Sequence, residues 1–210
     1  MIKKTNSATF LLLIPLMLLA SQAAFADGMA SVKAFYQQTQ AMRANFHQVV
    51  TDRQGRKVQE VQGQMQLKRP NKFRWDYNQP YEQQIISDGK QVWLYDTELA
   101  QVTVREFSKA LGSSPAALLA GDDAIDKSFK LANASIKGGL DWVSATPKDK
   151  ETGFEQILLG FKDHKLQEMS LVDSFGHNTK IVFSQLESNP AIDEKAFLFQ
   201  TPKGVDVVGE

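Results

Sequence analysis

A period of two runs through most of this chain, and no other feature limits its possible folds so much. Residues 44–53, 57–69, 72–78, 82–87, 91–96 and 99–105 read as strands, and the pattern resumes over 127–136, 140–146, 154–162, 165–173 and 178–187. Turn chemistry separates many of them: Gln54-Gly55, Pro70-Asn71, Gln79-Pro80, Asp88-Gly89, Gly138-Gly139, Asp163-His164 and Phe175-Gly176. Strands this closely spaced leave no room for the crossover helices of a doubly wound sheet, so neighbours pair antiparallel. About 11 strands in one domain do not stay flat. The expected fold is mainly β with an α lid. It is a single highly curved antiparallel sheet, an incomplete barrel covered by short helices that enclose an apolar cavity.

Two segments can supply that lid. Met29, Val32, Phe35, Tyr36 and Met42 recur at helical spacing from about 29 to 43, with Lys33, Gln37, Gln38 and Gln40 opposite them. In SSPAALLAG (113–121), Ser113 or Ser114 is placed to cap a helix, Pro115 to open it and Gly121 to end it. The lid is therefore expected over 29–43 and 107–121. A short helical turn in DEKAF (193–197) and the segment FQTPKGVDVV close the chain.

The N-terminus sets the compartment. Lys3 and Lys4 precede an apolar run over 10–20, and Ala24-Phe25-Ala26 offers the small residues that signal peptidase requires. Residues 1–26 read as a cleaved signal peptide and 27–210 as a single exported domain; Asp27, not cysteine, follows the cut. The run is shorter than the ~20 apolar residues a membrane span needs. The full chain carries 24 basic and 24 acidic residues. Loss of the signal segment, which holds two lysines and no acid, leaves the remainder slightly acidic, which speaks against nucleic acid as a partner. There is no cysteine, and hence no disulfide or thiolate chemistry.

Nothing recommends an enzyme. His47, His164 and His177 are scattered among polar neighbours and do not form the cluster a metal requires. Asp122, Asp123 and Asp126 lack the spacing of a calcium loop and read as a solvated loop. No nucleophile elbow, P-loop or dinucleotide fingerprint is present. No cofactor or metal is expected.

The stretch KRPNKFRWDY (68–77) is more telling. Phe73, Trp75 and Tyr77 alternate with Lys72, Arg74 and Asp76, so the cations face away from the aromatics. That geometry does not suit a nucleic-acid groove, where rings and cations line the same surface. In the same register Val61, Met65 and Leu67 fall on the apolar side, and so does Arg69. A wide sheet with little helix to fill it, lined by Met, Leu and aromatic residues, suits apolar ligands of varying shape. A guanidinium directed at that face must find acceptors. The free carbonyls at the end of SSPAALLAG are natural partners, so Arg69 reads as a latch clipping a lid helix to the sheet.

These residues carry a resemblance. RPNKFRW (69–75), SDGKQVWLYD (87–96), SSPAALLA (113–120) and AFLFQTPKGVDVV (196–208), in this order over essentially the whole mature chain, closely resemble the LolA family. Its members are periplasmic carriers of outer-membrane lipoproteins. The resemblance implies that Arg69 holds the lid shut through the backbone at Leu119 and Ala120, with Tyr36 contributing. It implies an acyl cavity lined by Met65, Leu67, Phe73, Trp75, Leu118 and Leu119. Triacylated lipoproteins would be accepted from an inner-membrane ABC transporter of the LolCDE type and passed to a LolB-type outer-membrane receptor, the carrier acting as a monomer. One departure is the small pair Ala116-Ala117, where relatives often carry bulkier lid residues; it implies a looser lid. The alternative is a periplasmic lipoprotein-sensing regulatory domain of the same fold, a type that usually carries a second domain.

Overall fold

The computed structural model describes residues 27–110, 114–121, 125–136, 138–149 and 152–209; the expected signal peptide, Ser113, Asp122 and Asp123 lie outside them. The chain opens with helix α1 (Gly28–Gln38), whose Asp27 cap accepts the Ala30 N–H. Six strands follow: β1 (Ala41–Thr51), β2 (Lys57–Lys68), β3 (Lys72–Gln79), β4 (Gln83–Asp88), β5 (Gln91–Asp96) and β6 (Gln101–Glu106). Three short helices, α2 (Phe107–Ala110), α3 (Pro115–Ala120) and α4 (Ile125–Ser128), then interrupt the sheet. Strands return as β7 (Phe129–Ala134), β8 (Asp141–Pro147), β9 (Phe154–Lys162), β10 (Lys165–Asp173) and β11 (Asn178–Ser188). A 3-10 turn (Glu194–Phe197) leads to β12 (Asp206–Gly209).

All twelve strands form one open sheet in the order β12-β6-β5-β4-β3-β2-β1-β11-β10-β9-β8-β7. Every neighbouring pair is antiparallel except β12 with β6, which run parallel. The expected count of about 11 omits β12, whose residues are all exposed and carry no apolar face to betray it. Helix 29–43 is also corrected. It stops at Gln38, and Met42 belongs to β1, where it alternates with Ala44 and Phe46 on the buried face. Pairing on both sides, with β2 and with β11, outcompetes helical continuation there.

One face of the sheet is apolar along its length. Met42, Ala44 and Phe46 of β1, Val61, Met65 and Leu67 of β2, and Phe73 and Trp75 of β3 join Ile157, Leu159 and Phe161 of β9 in one buried cluster. The helices cover this face in two halves. α1 packs on β7 to β10, whereas α3 packs on β2 and β3 and α2 on β5 and β6. Gly28 permits the first contact, since a Cβ there would lie 2.4 Å from the Trp142 carbonyl oxygen. The opposite, convex face holds a small cluster of Ala41, Ile192 and Phe197, and Phe199 stacks on Trp93. The segment after β11 thus straps the back of the sheet on its way to β12.

Candidate functional site

The two halves of the lid meet at the end of α3. Its start is set by Ser114, which caps Ala117, and by Pro115 at the first helical position. A helix of six residues leaves its last carbonyls without partners inside the helix. Two of them, and the carbonyl of the Gly121 cap, accept donors from other elements. The Tyr36 hydroxyl of α1 donates to Leu118 O at 2.9 Å, and the Asn71 N–H of the β2–β3 turn donates to Ala120 O at 2.8 Å. Arg69 Nη1 donates to Gly121 O.

Arg69 also reaches the first helix. Its Nε donates to Thr39 O at 2.8 Å and its backbone N–H to Gln40 O at 2.8 Å. The guanidinium lies 4.4 Å from the Tyr36 ring centre and 5.0 Å from that of Phe35, close enough for cation–π attraction. One arginine at the end of β2 therefore joins α1, α3 and the sheet. The expectation is the backbone around Leu119 and Ala120, at the end of SSPAALLAG. Arg69 Nη1 takes the adjoining carbonyl of Gly121, while Ala120 O is held by Asn71. Tyr36 meets the lid at Leu118.

Met65, Leu67, Phe73, Trp75, Leu118 and Leu119 are all buried where sheet and lid meet. In this lid-down arrangement side chains occupy the space between them. Trp75 packs 4.9 Å from Phe46 and 6.2 Å from Phe183, and Phe73 lies 6.4 Å from Phe107 (centroid distances). The Trp75 Nε1–H is buried without a hydrogen-bond partner, a state that costs free energy in a closed core. Open space remains at the N-terminal end of α3. A hollow of about 350 Å³ runs there between Tyr77, Ile85, Val92 and Leu94 on the sheet and Pro115 on the lid, with Gln48, Thr103, Arg105 and Thr179 as its polar lining. Burial, with a smaller push from Tyr81, raises the Tyr77 phenol above its ordinary value, so the ring stays neutral. A larger hollow near the latch, about 670 Å³, is lined by Phe107, Leu118, Ile125 and Phe129 together with Asp88, Lys90 and Glu106.

The histidines do not converge. His47 lies 2.9 Å from Glu60, His177 2.9 Å from Asp173, and His164 3.0 Å from the Ser31 hydroxyl. Ser31 is a fully buried residue of α1 and donates to Asp141 at 3.1 Å. These contacts pin α1 to β8 and to the β9–β10 turn. Among the described residues, no three His, Asp or Glu side chains gather as a metal site.

Sequence reading missed Asn189. It sits in a left-handed conformation (φ 56°) just after β11. Its Oδ1 accepts from Gln40 N at 2.7 Å and from Ala41 N at 3.1 Å, and its Nδ2 donates to Gln38 O at 2.9 Å. Before a proline, such an asparagine looks like an ordinary turn residue.

Comparison with known proteins bears on this geometry. The family model described as "Outer membrane lipoprotein carrier protein LolA" matches residues 37–200. An outer-membrane lipoprotein carrier protein of Methylobacillus flagellatus is 60% identical over 185 residues, 88% of this chain and 90% of that one. A relative of the same name from Chromobacterium violaceum is 48% identical, covering 87% and 88%. Among solved structures, an uncharacterized conserved protein from Thermus thermophilus shares the fold at a TM-score of 0.51 and 13% identity, covering 87% of this chain and 97% of that one. The family match spans β1 to β11 with Arg69 and α3, so the chain belongs to the LolA family of outer-membrane lipoprotein carrier proteins.

Proposed function

We propose that this protein is a periplasmic carrier that shields the acyl chains of outer-membrane lipoproteins and delivers them without chemical change. The observation that carries the reading is the arrangement at α3. A small apolar helix covers the most aromatic part of a concave sheet, yet polar bonds from Arg69, Asn71 and Tyr36 fix its free end. Apolar contact holds the lid down, and three donors hold it in register. Both can be exchanged for a ligand that supplies its own hydrocarbon.

The energetics favour such an exchange. Each buried CH₂ of an acyl chain is worth ~0.8 kcal/mol, so a long chain needs an apolar container to cross water. The carrier must nonetheless release it without a fuel. Opening the lid costs the latch bonds and the contacts of Leu118 and Leu119, and this cost is subtracted from the affinity for cargo. The hollow at the start of α3 offers an acyl chain a first foothold. Met65, Leu67, Phe73, Trp75, Leu118 and Leu119 would then line the enlarged cavity.

In this reading residues 1–26 are removed on export, and Asp27, the α1 cap, begins the working chain. The carrier acts as a monomer, accepting triacylated lipoproteins from a LolCDE-type transporter and passing them to a LolB-type receptor. The test is to load purified carrier with a triacylated lipoprotein and add the receptor. Transfer of intact cargo supports the proposal. Cleavage or modification of the acyl chains, or no uptake at all, would end it.

A further inference from the structure

Arg69 bonds two consecutive peptide groups at the junction of α1 and β1. Its Nε takes the carbonyl of the 39–40 peptide, and its backbone N–H takes that of the 40–41 peptide. A trans peptide points its N–H and C=O in opposite directions, so the N–H groups of the same two peptides face away from Arg69. Both of them, Gln40 N–H and Ala41 N–H, donate to the single Oδ1 of Asn189. The backbone of Asn189 adds a bond to Ala41 O at 2.7 Å, and its Nδ2 holds Gln38 O. Arg69 and Asn189 thus grip opposite ends of the same pair of peptides.

We infer that Asn189 is a positioning residue of the latch: from the strap behind the sheet, it orients the two peptide groups that Arg69 holds. The inference rests on the carrier reading of Arg69 given above. Two effects follow from the geometry. Asn189 Oδ1 fixes the tilt of both peptides, so the Thr39 carbonyl stays aimed at the guanidinium. Donation from the N–H end also polarises each carbonyl, because hydrogen bonds in series strengthen one another. Without the Asn189 side chain both N–H groups turn to water, the peptides are free to rock, and Arg69 loses a well-aimed acceptor. The strap then sets how firmly α3 closes, although Asn189 bonds to the end of α1 at Gln38 and not to α3 itself.

The left-handed backbone at Asn189 makes a clean test possible. Asn189→Gly keeps that conformation and the bond to Ala41 O while removing only the side chain. Affinity for a fluorescent acyl-chain probe, with thermal midpoint alongside, is measured for wild type, Asn189→Gly, Arg69→Leu and the double variant. Asn189→Gly is expected to tighten probe binding about three- to tenfold, as a weakened latch competes less. On the Arg69→Leu background it should change binding by less than about twofold, since the residue it serves is gone. Asn189→Asp, which retains the Oδ1 acceptor, should stay within about twofold of wild type. A lowered midpoint without tighter binding, an equal shift in both backgrounds, or an Asn189→Asp that behaves like the glycine variant would each overturn the inference. If Arg69→Leu itself leaves probe binding unchanged, the latch reading fails and takes this inference with it.

Discussion

At Arg69 three kinds of interaction meet in one residue: charge-assisted side-chain bonds to Thr39 and Gly121 carbonyls, cation–π contact with Phe35 and Tyr36, and a main-chain bond to Gln40. Replacing it with leucine removes the charge along with its need for acceptors, so the domain should still fold. The closed state should lose about 1.5–3 kcal/mol, and affinity for an acyl probe should rise by about tenfold to a hundredfold. Uptake would persist while delivery to the receptor stalls; equal delivery by wild type and variant would refute the latch. Arg69→Lys should fall between the two, because an ammonium lacks the planar fork that spans Thr39 O and Gly121 O together. Trp75 offers a separate check. Among the three tryptophans it alone belongs to the concave cluster, while Trp93 stacks on Phe199 across the back. Ligand-induced fluorescence change should survive Trp93→Phe and Trp142→Phe but vanish in Trp75→Phe. The last substitution should cost little stability, since it also removes an unpartnered buried N–H.

The elements differ in how openly the sequence declares them. Most of β1 to β11 follow from alternation and turn residues, because they bury one face and are bounded by turns; β7 is weaker, with Phe129 its one buried residue and α4 occupying 127–128 of the expected strand. β12 does not follow, since four exposed residues paired parallel to a distant strand leave no local trace. The end of α1 was misjudged because Met42 fits both the helical and the strand period, and only pairing with β2 and β11 decides. Arg69 is legible through its register on the apolar face; which carbonyl at the end of SSPAALLAG it takes is not, because that depends on the backbone of Gly121. Asn189 was invisible, as its role arises from contact over 148 residues of sequence. α3 is too short to persist alone, so its stability is borrowed from packing. Leu119→Ala should cost ~2–4 kcal/mol of closed state and raise probe affinity, whereas Leu67→Ala in β2 should lower the thermal midpoint without that gain. The strap carries its own signature. Glu194 bridges Lys68 and Lys72, on either side of the latch turn, and these lysines hold its carboxyl down from 4.5 to about 2. A depressed carboxyl stabilises above its unfolded pKa and loses that contribution as pH falls from about 4.5 through about 2. Carboxyl chemical shifts of Glu194 should titrate near the lower value, and move toward 4.5 in Lys68→Ala/Lys72→Ala.

Taken whole, the molecule is a curved sheet with opposed fittings: a lid on the concave side and a strap on the convex side, joined at one corner by Arg69, the 39–41 peptides and Asn189. The concave interior is packed in the lid-down state, so a ligand must displace side chains and lift α3. The carrier would therefore work by exchanging one apolar filling for another, with the latch setting the balance between holding and releasing. Amide hydrogen exchange at Asn71 reports this exchange most directly, because its N–H is held by Ala120 O of the lid and by no strand partner. Saturation with an acylated lipoprotein should lower Asn71 protection by about tenfold or more while the strand amides of β2 and β3 remain protected. Unchanged protection at Asn71 with cargo bound would mean that the lid stays down, and would contradict the account.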